Sequence, residues 1–116
     1  MYKEQILDHN KRPRNTGPLD TDIWAEGENT SCGDKVKVYL EVEDGKIQDM
    51  KHETEGCAIC TAVTSILSEE LPGKKVSEVE NLDKDYVLDF VGDISPMRLK
   101  CAMLGLLTVQ EALEEP

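Results

Sequence analysis

The sequence predicts an α+β fold, a three-stranded antiparallel sheet with helices packed on it. Three observations carry that expectation. Val36, Val38, Leu40 and Val42 alternate with Lys35, Lys37, Tyr39 and Glu41, the two-residue period of a half-buried strand. Asp44-Gly45 supplies the positive φ angles of a tight hairpin, which returns the chain along roughly Lys46 to Thr54. From Ala58 onward the apolar spacing becomes helical, so strands and helices are segregated along the chain. Segregation of this kind belongs to an α+β layout and not to an alternating parallel one.

Each element has its own signal. Ile6 and Leu7 among polar neighbours predict a short helix over residues 3–10, stopped before Arg12-Pro13. Arg12 to Pro18 is rich in residues that interrupt regular structure and reads as a loop. Ile23-Trp24-Ala25-Glu26-Gly27 reads as a brief strand. On the returning strand His52 shares a parity with Met50 and Thr54, and a single histidine so placed reads as a packed residue before it reads as a ligand. Ile59, Val63, Ile66 and Leu67 line one face of a helix from Ala58 to Leu71, which Pro72-Gly73 ends. Val76, Val79 and Leu82 mark a short helix or turn capped by Ser77 or its neighbours. Tyr86, Val87, Phe90 and Val91 mark another. Pro96 precedes a last helix over roughly 97–114, with Met97, Cys101, Leu104, Val109 and Leu113 on its apolar face.

Length and charge bound the function. With 116 residues the chain is expected to form one domain over 1–116, without a second core. Only 4% of residues are aromatic, so the core must be aliphatic. A net charge of -11 argues against nucleic-acid binding, because neutralising phosphates needs a basic face. The longest apolar stretch, around Ala102 to Leu107, is too short to cross a bilayer. Met1-Tyr2-Lys3-Glu4-Gln5 lacks the apolar region of a signal peptide, so a cytoplasmic, reducing compartment is expected. In such a compartment clustered cysteines point to metal or redox chemistry more than to structural disulfides.

The chain has four cysteines. Cys60 and Cys101 fall on predicted helices, where a free cysteine often serves as a small buried hydrophobe. Cys32 lies in the polar loop Asn29-Thr30-Ser31-Cys32-Gly33-Asp34, and Cys57 at a helix N-terminus that favours a thiolate. Residues 32–34 open one strand and 54–57 close its antiparallel partner, so both loops lie at one end of the sheet. Cys101 completes a set of three thiols and the Asp34 carboxylate if the last helix begins at that end. Such a set suits zinc or an iron–sulfur cluster, with Asp34 the harder and weaker donor. Cys57-Ala58-Ile59-Cys60 also forms a C-x-x-C, although the βαβ context of dithiol oxidoreductases is missing.

These residues resemble a known family, the U-type iron–sulfur cluster assembly scaffolds comprising IscU, SufU and the N-terminal domain of NifU. Tyr2, Asp8-His9 and Pro13-Arg14-Asn15-x-Gly17 resemble its N-terminal signature. Asn29-x-x-Cys32-Gly33-Asp34, Gly56-Cys57 and Pro96-x-Arg98-x-x-Cys101 resemble its three cysteine motifs, in order and over nearly the whole chain. The resemblance implies the NifU/IscU-like fold and a scaffold that takes sulfur from a cysteine desulfurase. It further implies assembly of a [2Fe–2S] cluster and its transfer to apo-acceptor proteins. Cys32, Asp34, Cys57 and Cys101 would be the ligands, with Zn2+ as the alternative occupant. IscU-like behaviour implies Cys101 as persulfide acceptor, whereas SufU-like behaviour implies Cys32. Likewise, the resemblance to SufU implies the alternative role of a zinc-bound sulfur acceptor that stimulates the desulfurase. His9 is implied to be structural or partner-binding.

Departures from the family pattern are specific. Thr30 replaces a proline, Cys60 stands where the family has a small residue, and Lys100 replaces the histidine of IscU. Lys100 and Glu55-Gly56 resemble the SufU form, and the Lys100 charge is expected to favour a Cys101 thiolate. The separation between the second and third cysteines resembles IscU. Ser95-Pro96-Met97-Arg98 only partly resembles the segment that Hsp70-type chaperones recognise in bacterial IscU.

Overall fold

A computed structural model describes residues 4–114. Tyr2 of the N-terminal signature and Lys3 of the predicted first helix lie outside the described residues. The element order is α1 (Glu4–Lys11), β1 (Ile23–Asn29), β2 (Asp34–Glu43), β3 (Lys46–Glu55), α2 (Ala58–Glu70), α3 (Val76–Glu80), α4 (Lys84–Val91) and α5 (Pro96–Leu113). The strands form one antiparallel sheet in the order β1-β2-β3. No helix among the described residues is long and apolar enough to cross a membrane.

The alternation in β2 decides which face is covered. Val36, Val38 and Leu40 are buried on the face that α5 covers, while α2 packs on β3. The opposite face is open except where the Lys37 ammonium lies 4.6 Å from the Trp24 ring centroid and 5.2 Å from that of Tyr39. Asp44 and Gly45 both adopt positive φ, 55° and 75°, as a tight hairpin turn requires. A bulge between Glu41 and Val42 then shifts the register, pairing Glu41 with Asp49 but Val42 with Ile47. The core is aliphatic as expected, with Ile59, Val63, Ile66 and Leu67 of α2 buried beside Ala102, Leu106 and Val109 of α5.

Four details differ from the sequence expectations. First, β1 continues to Asn29, because Glu28 and Asn29 still find partners in Lys35 and Asp34. Second, Met97 is 67% exposed, because the first turn of α5 is exposed as a whole, Pro96 and Arg98 included. Third, α3 is capped at Lys75, whose backbone N–H donates to the Glu78 carboxylate, and not at Ser77. Fourth, the loop at residues 15–17 is not free. The His52 N–H donates to the Asn15 carbonyl and the Gly17 N–H to the His52 carbonyl, so this strap covers the outer edge of β3.

Two buried histidines fasten the strap. His52 Nε2 donates to the Arg14 carbonyl at 2.8 Å, and Nδ1 lies 2.8 Å from Thr54 Oγ1. His9 Nδ1 lies 2.7 Å from Ser65 Oγ, which also accepts from the Arg14 N–H, and His9 Nε2 faces Glu69. Both rings are structural.

Candidate functional site

The site lies where β1, β2, β3, α2 and α5 converge. The turn at residues 30–33 is closed by the N–H groups of Cys32 and Gly33, both donating to the Asn29 carbonyl. Gly33 takes φ 73°, which lets the chain enter β2 directly with Asp34 pointing inward. Cys57 is the N-cap of α2, and Ser95 caps α5 by accepting from the Arg98 N–H, one turn before Cys101.

The four residues expected from the sequence are brought together. Ligand atoms of Cys32, Asp34 and Cys101 all lie within 4.8 Å of one another. The Cys101 thiol donates to Cys32 Sγ at 3.1 Å. The Cys57 N–H donates to Asp34 Oδ1 at 2.8 Å, and Cys57 Sγ lies 3.9 Å from Asp34 Oδ2. Exposure divides the set: Cys32 and Cys57 face solvent, whereas Cys101 is 3% exposed and Asp34 wholly buried. Asp34, expected where the loop opens into the strand, is the first residue of β2, and Gly56 leaves room for its carboxylate. A Cβ on Gly56 would stand 2.5 Å from Asp34 Oδ1.

Electrostatics corrects one expectation. Burial pushes the Cys101 thiol up, and the neighbouring Cys32, Asp34 and Cys57 reinforce that direction. Lys100 is exposed on the same helix, and its charge does not reverse the effect. Cys60, the added thiol, is wholly buried one turn into α2, and burial first, then the charges of Asp34 and Cys57, raise it to about 12. It is a core residue, as its helical position suggested. Sequence reasoning gave no role to Asn29, whose Nδ2 lies 3.7 Å from Cys101 Sγ. Its place in Asn29-x-x-Cys32 was the available signal, but only its pairing with Asp34 across β1 and β2 turns it toward the site.

Three thiols and a carboxylate, one thiol and the carboxylate withdrawn from water, are donors of the kinds that suit soft metal ions. The chain belongs to the NifU-like N terminal domain family, which it matches over residues 1–115. It is similar to the iron–sulfur cluster assembly scaffold protein IscU of Thermotoga maritima, 36% identical, covering 99% of this chain and 94% of that protein. It is also similar to the zinc-dependent sulfurtransferase SufU of Bacillus subtilis, 29% identical over 97% of this chain and 89% of that protein. Among solved structures it is similar to a candidate SUF-system scaffold protein from Fervidobacterium islandicum AW-1. The TM-score is 0.81 at 30% identity, covering 97% of this chain and 96% of that one. A NifU-like N-terminal protein from Brucella abortus, 20% identical, shares the fold with a TM-score of 0.80. The alignment with the Thermotoga protein spans 133 residues although this chain has 116, so that relative carries residues inside the match that this chain lacks.

Proposed function

We propose that this chain is an iron–sulfur cluster assembly scaffold. It receives sulfur from a cysteine desulfurase, builds a [2Fe–2S] cluster held by Cys32, Asp34, Cys57 and Cys101, and passes it to apo-acceptor proteins. The observation that carries this reading is the convergence of the Cys32, Asp34 and Cys101 donor atoms, with Cys57 beside Asp34. The donor set fits the cargo, since thiolates suit iron–sulfur clusters and a single carboxylate is a weaker, more easily exchanged partner. Cys32 is the entry point for sulfur, because a persulfide carried by a partner protein reaches an exposed thiol and not one that is 3% exposed. The net charge of -11 supports docking against basic patches on the desulfurase and acceptors.

A second reading has its own support. The Bacillus relative is a zinc-dependent sulfurtransferase, Lys100 stands in place of the histidine of IscU, and thiolate and carboxylate donors are of the kinds that zinc takes. Anaerobic incubation with iron, L-cysteine and a desulfurase separates the two. Visible cluster absorption with two iron atoms bound per cluster is expected for the scaffold. Tight zinc, accelerated desulfurase turnover and no cluster would establish the sulfur acceptor instead. Within the scaffold reading, Asp34→Ala is expected to slow cluster transfer to an apo-ferredoxin by about tenfold, read by visible circular dichroism. Unchanged transfer would remove Asp34 from its assigned role.

A further inference from the structure

Cys32 and Cys101 differ in exposure yet touch. One sits on an exposed turn, the other is 3% exposed on α5, and their sulfurs are 3.1 Å apart. A donor protein that approaches from solvent meets Cys32 first. Cys101 already donates its thiol hydrogen to Cys32 Sγ. Asn29 Nδ2, 3.7 Å from Cys101 Sγ, holds the second sulfur in place from the side of β1.

We propose that the pair is a two-station sulfur relay, Cys32 accepting the persulfide and Cys101 receiving it from Cys32. This rests on the sulfur-accepting step shared by both readings above and adds a step that neither contains. After Cys32 has taken up sulfur, the Cys101 sulfur attacks the outer sulfur of the Cys32 persulfide. The bond between that outer sulfur and Cys101 Sγ forms, and the bond to Cys32 Sγ breaks. Cys32 Sγ leaves with the bonding electron pair and takes the proton that Cys101 gives up, along the hydrogen bond that already joins them. One persulfide and one thiol become one thiol and one persulfide, so no oxidant or reductant is consumed. Sulfur is thereby moved from a solvent-facing thiol, where any small thiol can strip it, to a shielded one beside Asp34.

The test follows sulfur on the whole chain. The protein is mixed with a cysteine desulfurase and one equivalent of L-cysteine, quenched by alkylation at successive times, and mapped by peptide mass spectrometry. Persulfide is expected on Cys32 first and on Cys101 later, an order that the unmutated protein reveals without any variant. Cys101→Ser should trap it on Cys32, and Cys32→Ser should slow labelling of Cys101 at least about tenfold. Cys101 labelled at the wild-type rate in Cys32→Ser would overturn the relay, as would a Cys32–Cys101 disulfide with release of sulfide. A persulfide that forms on Cys32 and never moves overturns the relay alone. No persulfide on any cysteine overturns the sulfur-accepting reading beneath it.

Discussion

Asp34 keeps its place because the residue facing it across the sheet end has no side chain. With Gly56 opposite, the carboxylate turns inward, accepts from the Cys57 N–H and stays out of water. A methyl group at residue 56 has to displace that carboxylate, and overpacking of this kind costs about 1–3 kcal/mol. Gly56→Ala is therefore expected to lower the urea midpoint and to weaken zinc binding, measured by competition with a chromophoric chelator. Zinc affinity equal to that of the unmodified chain would show that Asp34 does not depend on this gap. At this scale the sequence was only partly legible. It named Cys32, Asp34, Cys57 and Cys101, since motif and hairpin geometry put them at one end of the sheet. It did not show that Asp34 is buried or that Asn29 reaches Cys101, because both depend on a cross-strand pairing beyond the end of the expected β1. It also assigned Lys100 an influence on Cys101 that burial outweighs.

Helices α2 and α5 carry Cys57 and Cys101, and their separation sets the width of the site. They approach closely at Gly105, where a Cβ would stand 2.5 Å from Thr64 Oγ1. Thr64 has nowhere to go, since its hydroxyl already donates to the Cys60 carbonyl inside a buried helix. Gly105→Ala is thus expected to push the helices apart, to destabilise the fold by about 1–3 kcal/mol, and to lower zinc affinity without touching a donor atom. A variant that is destabilised but binds zinc normally would separate helix packing from site geometry. Helix and strand identities were legible because their apolar periods are clean, above all in β2 and α2. Met97 differs from expectation because the apolar period of α5 starts one turn before burial does, at Cys101. The strap over β3 was invisible, as residues 15–17 pair through backbone groups that carry no side-chain pattern.

Across the whole molecule, His9 and His52 make stability depend on pH. Burial lowers the pKa of both below the ordinary 6.5, and for His9 the Arg14 charge adds to the effect. The unfolded chain then binds protons before the folded one does as pH falls. Stability is fully present above about pH 6.5 and is lost progressively as pH descends through the lowered folded-state values. A urea midpoint that is level above about pH 7 and declines toward about pH 5.5 is the expected result. A midpoint constant over that interval would contradict it. The charge of -11 acts at the same scale. Association with a desulfurase is expected to weaken at least about tenfold between about 0.05 M and about 0.5 M salt, by calorimetric titration. Binding indifferent to salt would assign the acidity to something other than docking.

The molecule measures 39 Å along its longest axis, and the thiols occupy one end of the sheet. The last residues of α5 lie elsewhere, sharing a cavity of about 820 Å³ with Val42, Gly45 and Val76 beside the hairpin turn. From Cys101 to Glu114 the helix climbs about 20 Å at its usual rise per residue. A fluorophore, a surface linkage or a fused reporter attached at that pole therefore leaves the thiol end unobstructed. Sulfur and metal traffic becomes observable on a tethered molecule one arrival at a time, while partners still have the whole working end to themselves.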